Sequence, residues 1–201
     1  MTKMKLLDYG ERLFLVALCA IFVRSMLGQA QMHPYLILMA ISECLPVALI
    51  LVRREGQMAM EPYPWIVAFI GTSMPLLVRS TPGGLHLLPD VVAGGLVALG
   101  LAVNISAKLA LWRSFGLTAA NRGVRKGGPY RFIRHPMYLG YFITQVAFLL
   151  ANLTVANAIK YLVAWSFQLL RIREEEKFLL RDESYQELAR RVPYRLVPGL
   201  Y

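Results

Sequence analysis

The chain has 201 residues, of which 57% are hydrophobic, more than soluble domains of this size usually carry. Its formal net charge of +10 is that of many nucleic-acid-binding proteins. Most of its Lys and Arg residues, however, fall in alternate connections between apolar runs, which is the positive-inside pattern of membrane proteins. Composition and charge therefore exclude a nucleic-acid partner and favour an integral membrane protein whose basic residues meet lipid headgroups.

Six apolar runs follow one another along the chain and predict six helices. The first four, at 13–29, 35–52, 63–79 and 90–112, are each long enough to cross ~30 Å of hydrocarbon. The last two, at 137–151 and 155–170, barely cross at ~1.5 Å per residue, and suit a helical hairpin packed inside the bundle. The predicted fold is an all-α, polytopic transmembrane bundle of four spans, a C-terminal helical hairpin and a cytoplasmic helical tail.

We predict one integral-membrane domain, residues 1–201, with two functional halves. Residues 1–112 form the N-terminal spans, and residues 113–201 hold a basic loop, the hairpin and the tail. The loops at 30–34 and 80–90 contain no Lys or Arg, so both termini are expected in the cytoplasm. We interpret His33 and His86 in these loops as interfacial and without a catalytic role. Cys19 and Cys44 lie within spans, without metal-ligand spacing, and are interpreted as buried inert thiols.

A few ionisable residues interrupt the apolar runs, where charges are costly and usually paired. Arg24 and Glu43 lie ~9 and ~12 Å from the non-cytoplasmic ends of the first two spans, counted at ~1.5 Å per residue. We expect an ion pair that joins these spans; the competing interpretation is that Glu43 lines a substrate cavity with Pro46. Weaker candidates of the same kind are Asn104, Lys108 and Gln145, for which helix–helix hydrogen bonding or snorkelling is favoured.

The most informative segment is a basic, glycine-rich loop that runs into the fifth apolar run. It reads Gly127-Gly128-Pro129-Tyr130, and then Arg134-His135-Pro136 at the junction. A proline fits the first position of a helix, because its missing N–H would have no intrahelical partner there. The free N–H groups and the positive end of the helix dipole then face the loop, so the junction is suited to an anionic group.

A second group of charged residues follows the sixth apolar run. Arg171 and Glu175 are i,i+4 neighbours on a continuing helix, and Glu176 comes next. Because a hairpin returns its second arm beside the start of the first, we expect these residues to meet Arg134 and His135. Such a site offers cations for a carboxylate and carboxylates for an ammonium or sulfonium. It suits an amphoteric cofactor such as S-adenosylmethionine better than a nucleotide phosphate, and we predict no metal site.

In order along the chain, these motifs resemble one family. The matching residues are Gly128-Pro129-Tyr130, then Arg134-His135-Pro136-Met137-Tyr138-Leu139-Gly140, then Arg171 with Glu175-Glu176 and Leu179, then Tyr185 and Arg195-Leu196-Val197-Pro198. This series resembles the isoprenylcysteine carboxyl methyltransferase superfamily, which includes phospholipid N-methyltransferases. The upstream Leu111-Trp112-Arg113-Ser114-Phe115-Gly116 also fits, and the resemblance covers about residues 105–201.

The resemblance implies an S-adenosylmethionine site in a cytoplasmic pocket and a lipid-like substrate that enters sideways from the bilayer. The implied catalytic residues are Arg171, Glu175 and Glu176. The implied cofactor-binding residues are Gly128, Tyr130, Arg134, His135, Tyr138, Leu139, Gly140, Glu175 and Tyr185. Leu188 departs from relatives that carry a second tyrosine there, which weakens the prediction that the tail contacts the cofactor.

We therefore predict a membrane methyltransferase, expected in a prokaryotic inner membrane, that acts on an amphiphilic acceptor. Methyl transfer is an in-line displacement that needs alignment and no metal. A carboxylate acceptor needs no general base and could be oriented by Arg171, whereas an amine would need one, with Glu176 or His135 as candidates. Two alternatives remain: an NADPH-dependent lipid or sterol-type reductase, and a non-enzymatic scaffold that binds anionic lipids through residues 113–135.

Overall fold

The computed structural model describes residues 3–51, 57–58, 62–81, 83–111, 120–121, 124–199 and 201, and its architecture is helical. The helices are α1 (Lys3–Leu27), α2 (Tyr35–Leu51), α3 (Pro62–Ser73), α4 (Asp90–Leu111), α5 (Pro136–Ala151), α6 (Val155–Leu179) and α7 (Glu183–Arg191). Short 3-10 turns cover Met74–Leu77 and Gly128–Arg131, and two-residue strands β1 (Gln57–Met58) and β2 (Ala120–Asn121) form an antiparallel pair. The predicted all-α class is confirmed, while Arg53, Arg54, Arg122 and the Trp112–Gly116 part of the family motif lie outside the described residues.

Among the described residues, one helix is long and apolar enough to cross a membrane, namely α4, with 22 residues and a mean hydropathy of 1.7. The prediction that residues 63–79 form a single helix is wrong. α3 ends at Ser73 after 12 residues, and a 3-10 turn with Pro75 in its first turn follows. Proline cannot supply the N–H that would continue the α-helical hydrogen-bond ladder, which explains the break. Four separate spans are therefore not confirmed.

The connections between helices gather at two ends of the bundle. At one end, β1 pairs with β2, and the main-chain N–H groups of Arg134 and His135 donate to the carbonyls of Tyr194 and Arg195. At the other end, Leu85 and Leu153 form a two-way backbone bridge. We call the first the active-site end and the second the opposite end. The division of connections between the two ends agrees with the alternation predicted from charge.

At the opposite end, the two loop histidines lie together. His33 Nδ1 is 2.6 Å from Asp90 Oδ2, at the first residue of α4, and the imidazole of His33 stacks on that of His86 at 5.4 Å between centroids. This contact joins the loop before α2 to the loop before α4, which is a structural role. That neither histidine has a catalytic role stays a prediction.

Close packing of α4 on α5 sets the position of the hairpin. Gly100 and Gly140 face each other so tightly that a Cβ on either would lie 2.7 Å from the other's carbonyl oxygen. Only glycine permits this approach of two backbones. The Asn104 side-chain amide then donates to the Met137 carbonyl at 3.0 Å. These contacts fix the start of α5 beside the last turns of α4.

The predicted partner of Glu43 is wrong. Arg24 lies exposed on α1, whereas the buried Glu43 accepts a hydrogen bond from Gln145 Nε2 at 2.9 Å. Trp165 Nε1 in turn donates to Gln145 Oε1 at 2.9 Å, so Glu43 ties α2 to α5 and α6. Counting residues along a span gave the depth of Arg24 and Glu43 but not the direction in which each side chain points.

The interpretation of Cys19 and Cys44 as separate thiols is also wrong, because the structure joins them by a disulfide between α1 and α2. Two cysteines on neighbouring antiparallel helices at matching depth meet the distance that such a bond requires, with 5.9 Å between their Cα atoms.

Candidate active site

The candidate site is built on the first turn of α5. His135 precedes the helix and Pro136 occupies its first position, as the sequence predicts. The main-chain N–H groups of Arg134 and His135 donate to the carbonyls of Tyr194 and Arg195 at 3.0 and 2.8 Å. The chain after α7 thus runs back alongside the Arg-His-Pro junction and holds it in place.

Glu176 is the centre of the site. Its Oε1 lies 2.7 Å from His135 Nε2 and accepts a hydrogen bond from the Tyr185 hydroxyl at 2.6 Å. Its Oε2 lies 3.2 Å from an Arg134 terminal nitrogen and 3.7 Å from Arg195 Nε. Since a carboxylate only accepts, His135 donates through Nε2. One buried carboxylate therefore joins α6 to the α5 start, to α7 and to the chain that follows it.

Glu175 makes a second, parallel set of contacts. Its Oε1 accepts from the Tyr138 hydroxyl at 2.5 Å and from Arg171 Nε at 3.2 Å, and its Oε2 lies 3.8 Å from His135 Nδ1. The Arg171 guanidinium also lies over the Tyr138 ring at 5.4 Å. The i,i+4 pairing of Arg171 with Glu175 and the convergence of the hairpin ends are thus confirmed.

The third acid of the run points elsewhere. Glu174 Oε1 pairs with the exposed Lys177 Nζ at 2.6 Å, on the surface of α6. At 100° per residue, three consecutive helical side chains cannot share one face. Of the three glutamates, Glu175 and Glu176 are those that the structure brings to the junction.

The contacts of Glu176 control its ionisation. Burial opposes its negative charge, but the hydrogen bonds from His135 and Tyr185, together with Arg134, lower its pKa from 4.5 to about 2. Burial and the neighbouring Glu176 raise the pKa of Tyr185 above its ordinary value, so its hydroxyl stays a donor. The site therefore holds a fixed negative charge at neutral pH.

The other predicted cofactor residues line the loop and the start of α5. Gly128 has a left-handed φ of +61°, which favours glycine, and this turn rests on Ala110 at the end of α4. Tyr130 is buried in the same apolar cluster as Tyr138, and Leu139 is half-buried. Gly140 faces Gly100, away from the glutamates, so its observed role is helix packing. Whether these residues contact a cofactor stays a prediction.

Two partners of the site were missed. Thr72 on α3 accepts from an Arg171 terminal nitrogen at 3.2 Å, and Arg195 joins the Glu176 cluster. Thr72 has no local signal, since it stands 99 residues from its partner in an ordinary apolar run, whereas Arg195 belongs to the family motif but was assigned no role at the site. Leu188 is buried against Tyr185 and Val192 and is a core position of the tail.

Comparison with known proteins gives matches over the segment of the chain that forms most of this site. A model of the isoprenylcysteine carboxyl methyltransferase family matches residues 99–181, from the glycine contact of α4 to the end of α6. The protein-S-isoprenylcysteine O-methyltransferase of Schizosaccharomyces pombe is 32% identical over 108 residues, which are 49% of this chain and 45% of that protein. The match thus spans less than half the length of this curated relative.

The matched segment contains α5, α6 and both glutamates of the site. The sequence motifs, the contacts between the hairpin ends and the two matches all support the same family resemblance. The resemblance to the isoprenylcysteine carboxyl methyltransferase superfamily, inferred from the sequence, is confirmed.

Proposed function

We propose that this protein is an integral-membrane methyltransferase that transfers a methyl group from S-adenosylmethionine to the carboxylate of an isoprenylcysteine-like acceptor. The observation that carries the proposal is the placement of Glu175 and Glu176 against Tyr138, His135 and Arg134 at the start of α5. The name of the matched relative supports the acceptor class. The exposed apolar faces of α1, α4 and α6 support placement in a bilayer.

The residues of the site fit the cofactor. Among the described residues, Arg134 Nε is buried without a hydrogen-bond partner, and Glu176 Oε2 meets Arg134 and Arg195 only as ion-pair contacts at 3.2 and 3.7 Å. A ligand that brings both an ammonium and a carboxylate satisfies acids and guanidinium groups together, and S-adenosylmethionine has both. When bound, it supplies an electrophilic methyl group on a sulfonium.

We assign the following roles to the chain's own residues. Glu175 and Glu176 accept hydrogen bonds from the cofactor's amino group or hydroxyls, and Arg134 faces its carboxylate. Arg171, held by Glu175 and Thr72, orients the acceptor. A carboxylate acceptor is ionised at neutral pH, so it needs no general base. The protein then contributes alignment of the reacting atoms at ~3–3.5 Å and exclusion of water.

The test is binding of S-adenosylhomocysteine, beside NADP⁺, to purified protein in detergent by titration calorimetry. Wild type is expected to bind the homocysteine compound alone. Glu175→Gln, which keeps the size of the side chain but removes its charge, is expected to bind at least tenfold more weakly. Glu174→Gln is the matched control, because it removes the neighbouring charge outside the site, and it is expected to bind as wild type does.

The same titrations contain the outcomes that overturn the proposal. Binding of NADP⁺ alone would identify the reductase alternative. Binding of neither compound by a folded sample would leave the anionic-lipid scaffold. If S-adenosylhomocysteine binds, transfer of a radiolabelled methyl group to N-acetyl-S-farnesylcysteine tests the acceptor class directly.

A further inference from the structure

A second buried polar group lies on α4, apart from the glutamates. Asn104 and Lys108 are one turn apart on this helix and are 0% and 4% exposed. Asn104 uses its amide N–H on the Met137 carbonyl, but its Oδ1 has no donor among the described residues. Lys108 Nζ likewise has no hydrogen-bond acceptor within the described part of the chain. One helix face therefore presents an unused acceptor and an unused cationic donor side by side.

The surroundings of Lys108 do not satisfy it. Its Nζ lies 4.8 Å from the centroid of the Tyr141 ring. The face of an aromatic ring attracts a cation but does not replace an oxygen acceptor for its N–H groups. Glu43 is within electrostatic range, but Gln145 already donates to it. A buried ammonium is costly until an anion approaches it directly. The surroundings of Lys108 are thus suited to a negatively charged group.

The position of Lys108 connects it to the candidate active site. α4 and α5 are antiparallel and touch at Gly100 and Gly140, so Lys108, two turns further along α4, lies level with the start of α5. Tyr141, beneath the ammonium, follows Tyr138 by one turn and lies within electrostatic range of Arg171. The Lys108 face therefore adjoins the side of the glutamate cluster that Arg171 occupies.

We propose that Asn104 and Lys108 bind the polar head of the acceptor. Lys108 binds one oxygen of its carboxylate, and Asn104 Oδ1 accepts from an N–H on the neighbouring carbon. The second carboxylate oxygen is left to attack. This assignment rests on the proposed function and extends it, because it selects an acyl-amino-acid type of head over a lipid amine, which Lys108 would repel.

Methyl transfer removes the negative charge of the group that Lys108 contacts. A carboxylate oxygen forms a bond to the methyl carbon while the carbon–sulfur bond breaks, and the bonding pair remains on sulfur. The products are a neutral methyl ester and S-adenosylhomocysteine, with no proton taken or released. The ester has lost the charge that Lys108 attracts, so Lys108 favours the acid over its product and assists product release.

The experiment compares binding of N-acetyl-S-farnesylcysteine with binding of its methyl ester to the purified protein in detergent. Wild type is expected to bind the acid at least tenfold more tightly. Lys108→Met is expected to weaken the acid to the level of the ester while leaving the ester and S-adenosylhomocysteine unchanged. Lys108→Arg is expected to keep the preference. Lys160→Met, which removes an ammonium that donates to Leu77 at the opposite end, is the matched control and is expected to keep it too.

Two outcomes overturn the inference. One is equal binding of acid and ester by wild type, which needs no variant and so does not depend on how any substitution folds. The other is an unchanged acid preference in Lys108→Met that still binds S-adenosylhomocysteine. Failure of the proposed function gives a different result, because wild type would then not bind S-adenosylhomocysteine.

Discussion

The two ends of the bundle both bury polar side chains, but the asparagine network at the opposite end is complete, whereas the charged network at the active-site end is not. At the opposite end, the Asn157 amide donates to the Arg79 carbonyl at 2.8 Å and accepts from the Arg79 N–H at 3.2 Å. Asn152 donates to the Tyr35 hydroxyl and accepts from Ser80. Every buried side-chain atom named here has a partner, so this network is closed.

At the active-site end, the network is open. Arg134 Nε lies buried without a hydrogen-bond partner among the described residues, and Glu176 Oε2 has ion-pair contacts with Arg134 and Arg195 but no hydrogen bond. Buried polar groups in native proteins are rarely left unsatisfied, and the exceptions often mark function. The comparison teaches that a complete network fixes helices, whereas a network with unused donors and acceptors is prepared for a ligand.

The largest expected effect is a loss of folding stability in acid, caused by protonation of Glu176 in the open network. The folded-state pKa of Glu176, about 2, lies below its ordinary value of 4.5, so its ionised form stabilises the fold. This contribution, about 3 kcal/mol, is present above pH 4.5 and is lost as the pH falls from there toward 2. The free energy of unfolding in detergent, measured between pH 7 and pH 3, checks it.

Glu176→Gln should remove most of that pH dependence, whereas Glu187→Gln, on the exposed surface of α7, should retain it. An equally steep loss of stability in Glu176→Gln would contradict the assignment to this carboxylate.

The second-largest expected effect is a loss of folding stability when a side chain of the closed network at the opposite end is removed. Asn157→Ala leaves the Arg79 N–H and carbonyl without their side-chain partner, and we expect a loss of about 2 kcal/mol in the free energy of unfolding. The protein that remains folded should bind S-adenosylhomocysteine as wild type does. A weaker cofactor affinity at unchanged stability would remove the distinction between the two ends.

A smaller effect should come from the tail. Tyr185→Phe removes the hydrogen bond to Glu176 Oε1, and a neutral donor to a charged acceptor is worth about 1.5 kcal/mol. Because that bond also favours the ionised carboxylate, the midpoint of acid unfolding should rise to higher pH. Circular dichroism during an acid titration measures it, and an unchanged midpoint would show that Tyr185 does not stabilise the charge.

The smallest effect should be kinetic. Thr72→Val removes one partner of Arg171 but leaves Glu175 in place, so we expect about fivefold lower kcat, near 1 kcal/mol, with KM for S-adenosylmethionine unchanged. Thr144→Val, whose hydroxyl bonds only within its own helix, is the control. Equal rates for the two variants would mean that Thr72 does not position Arg171.

The sequence predicted α4 and α5 well because their apolar runs define the helix lengths directly. The predicted runs at 90–112 and 137–151 match α4 and α5 within a residue. The pairing of Arg171 with Glu175 follows from helix periodicity alone. The meeting of α6 with the start of α5 follows from the hairpin, whose second arm returns beside the start of the first.

What the sequence could not predict are the contacts set by side-chain direction between distant helices. Glu43 meets Gln145 instead of Arg24 because residue counts give depth in a bundle but no rotation about the helix axis. Thr72 reaches Arg171 only because α3 packs on α6. Gly140, interpreted as part of a cofactor motif, is explained by the backbone that faces it.

The backbone pairing of Tyr194 and Arg195 with Arg134 and His135 sets an order of events during synthesis. The partners stand 60 residues apart, so the junction before α5 leaves the ribosome long before the segment that braces it. Helices α1 to α6 are therefore synthesised while the Arg-His-Pro turn is still unbraced. The candidate site is complete only when the chain beyond α7 has folded back against this junction.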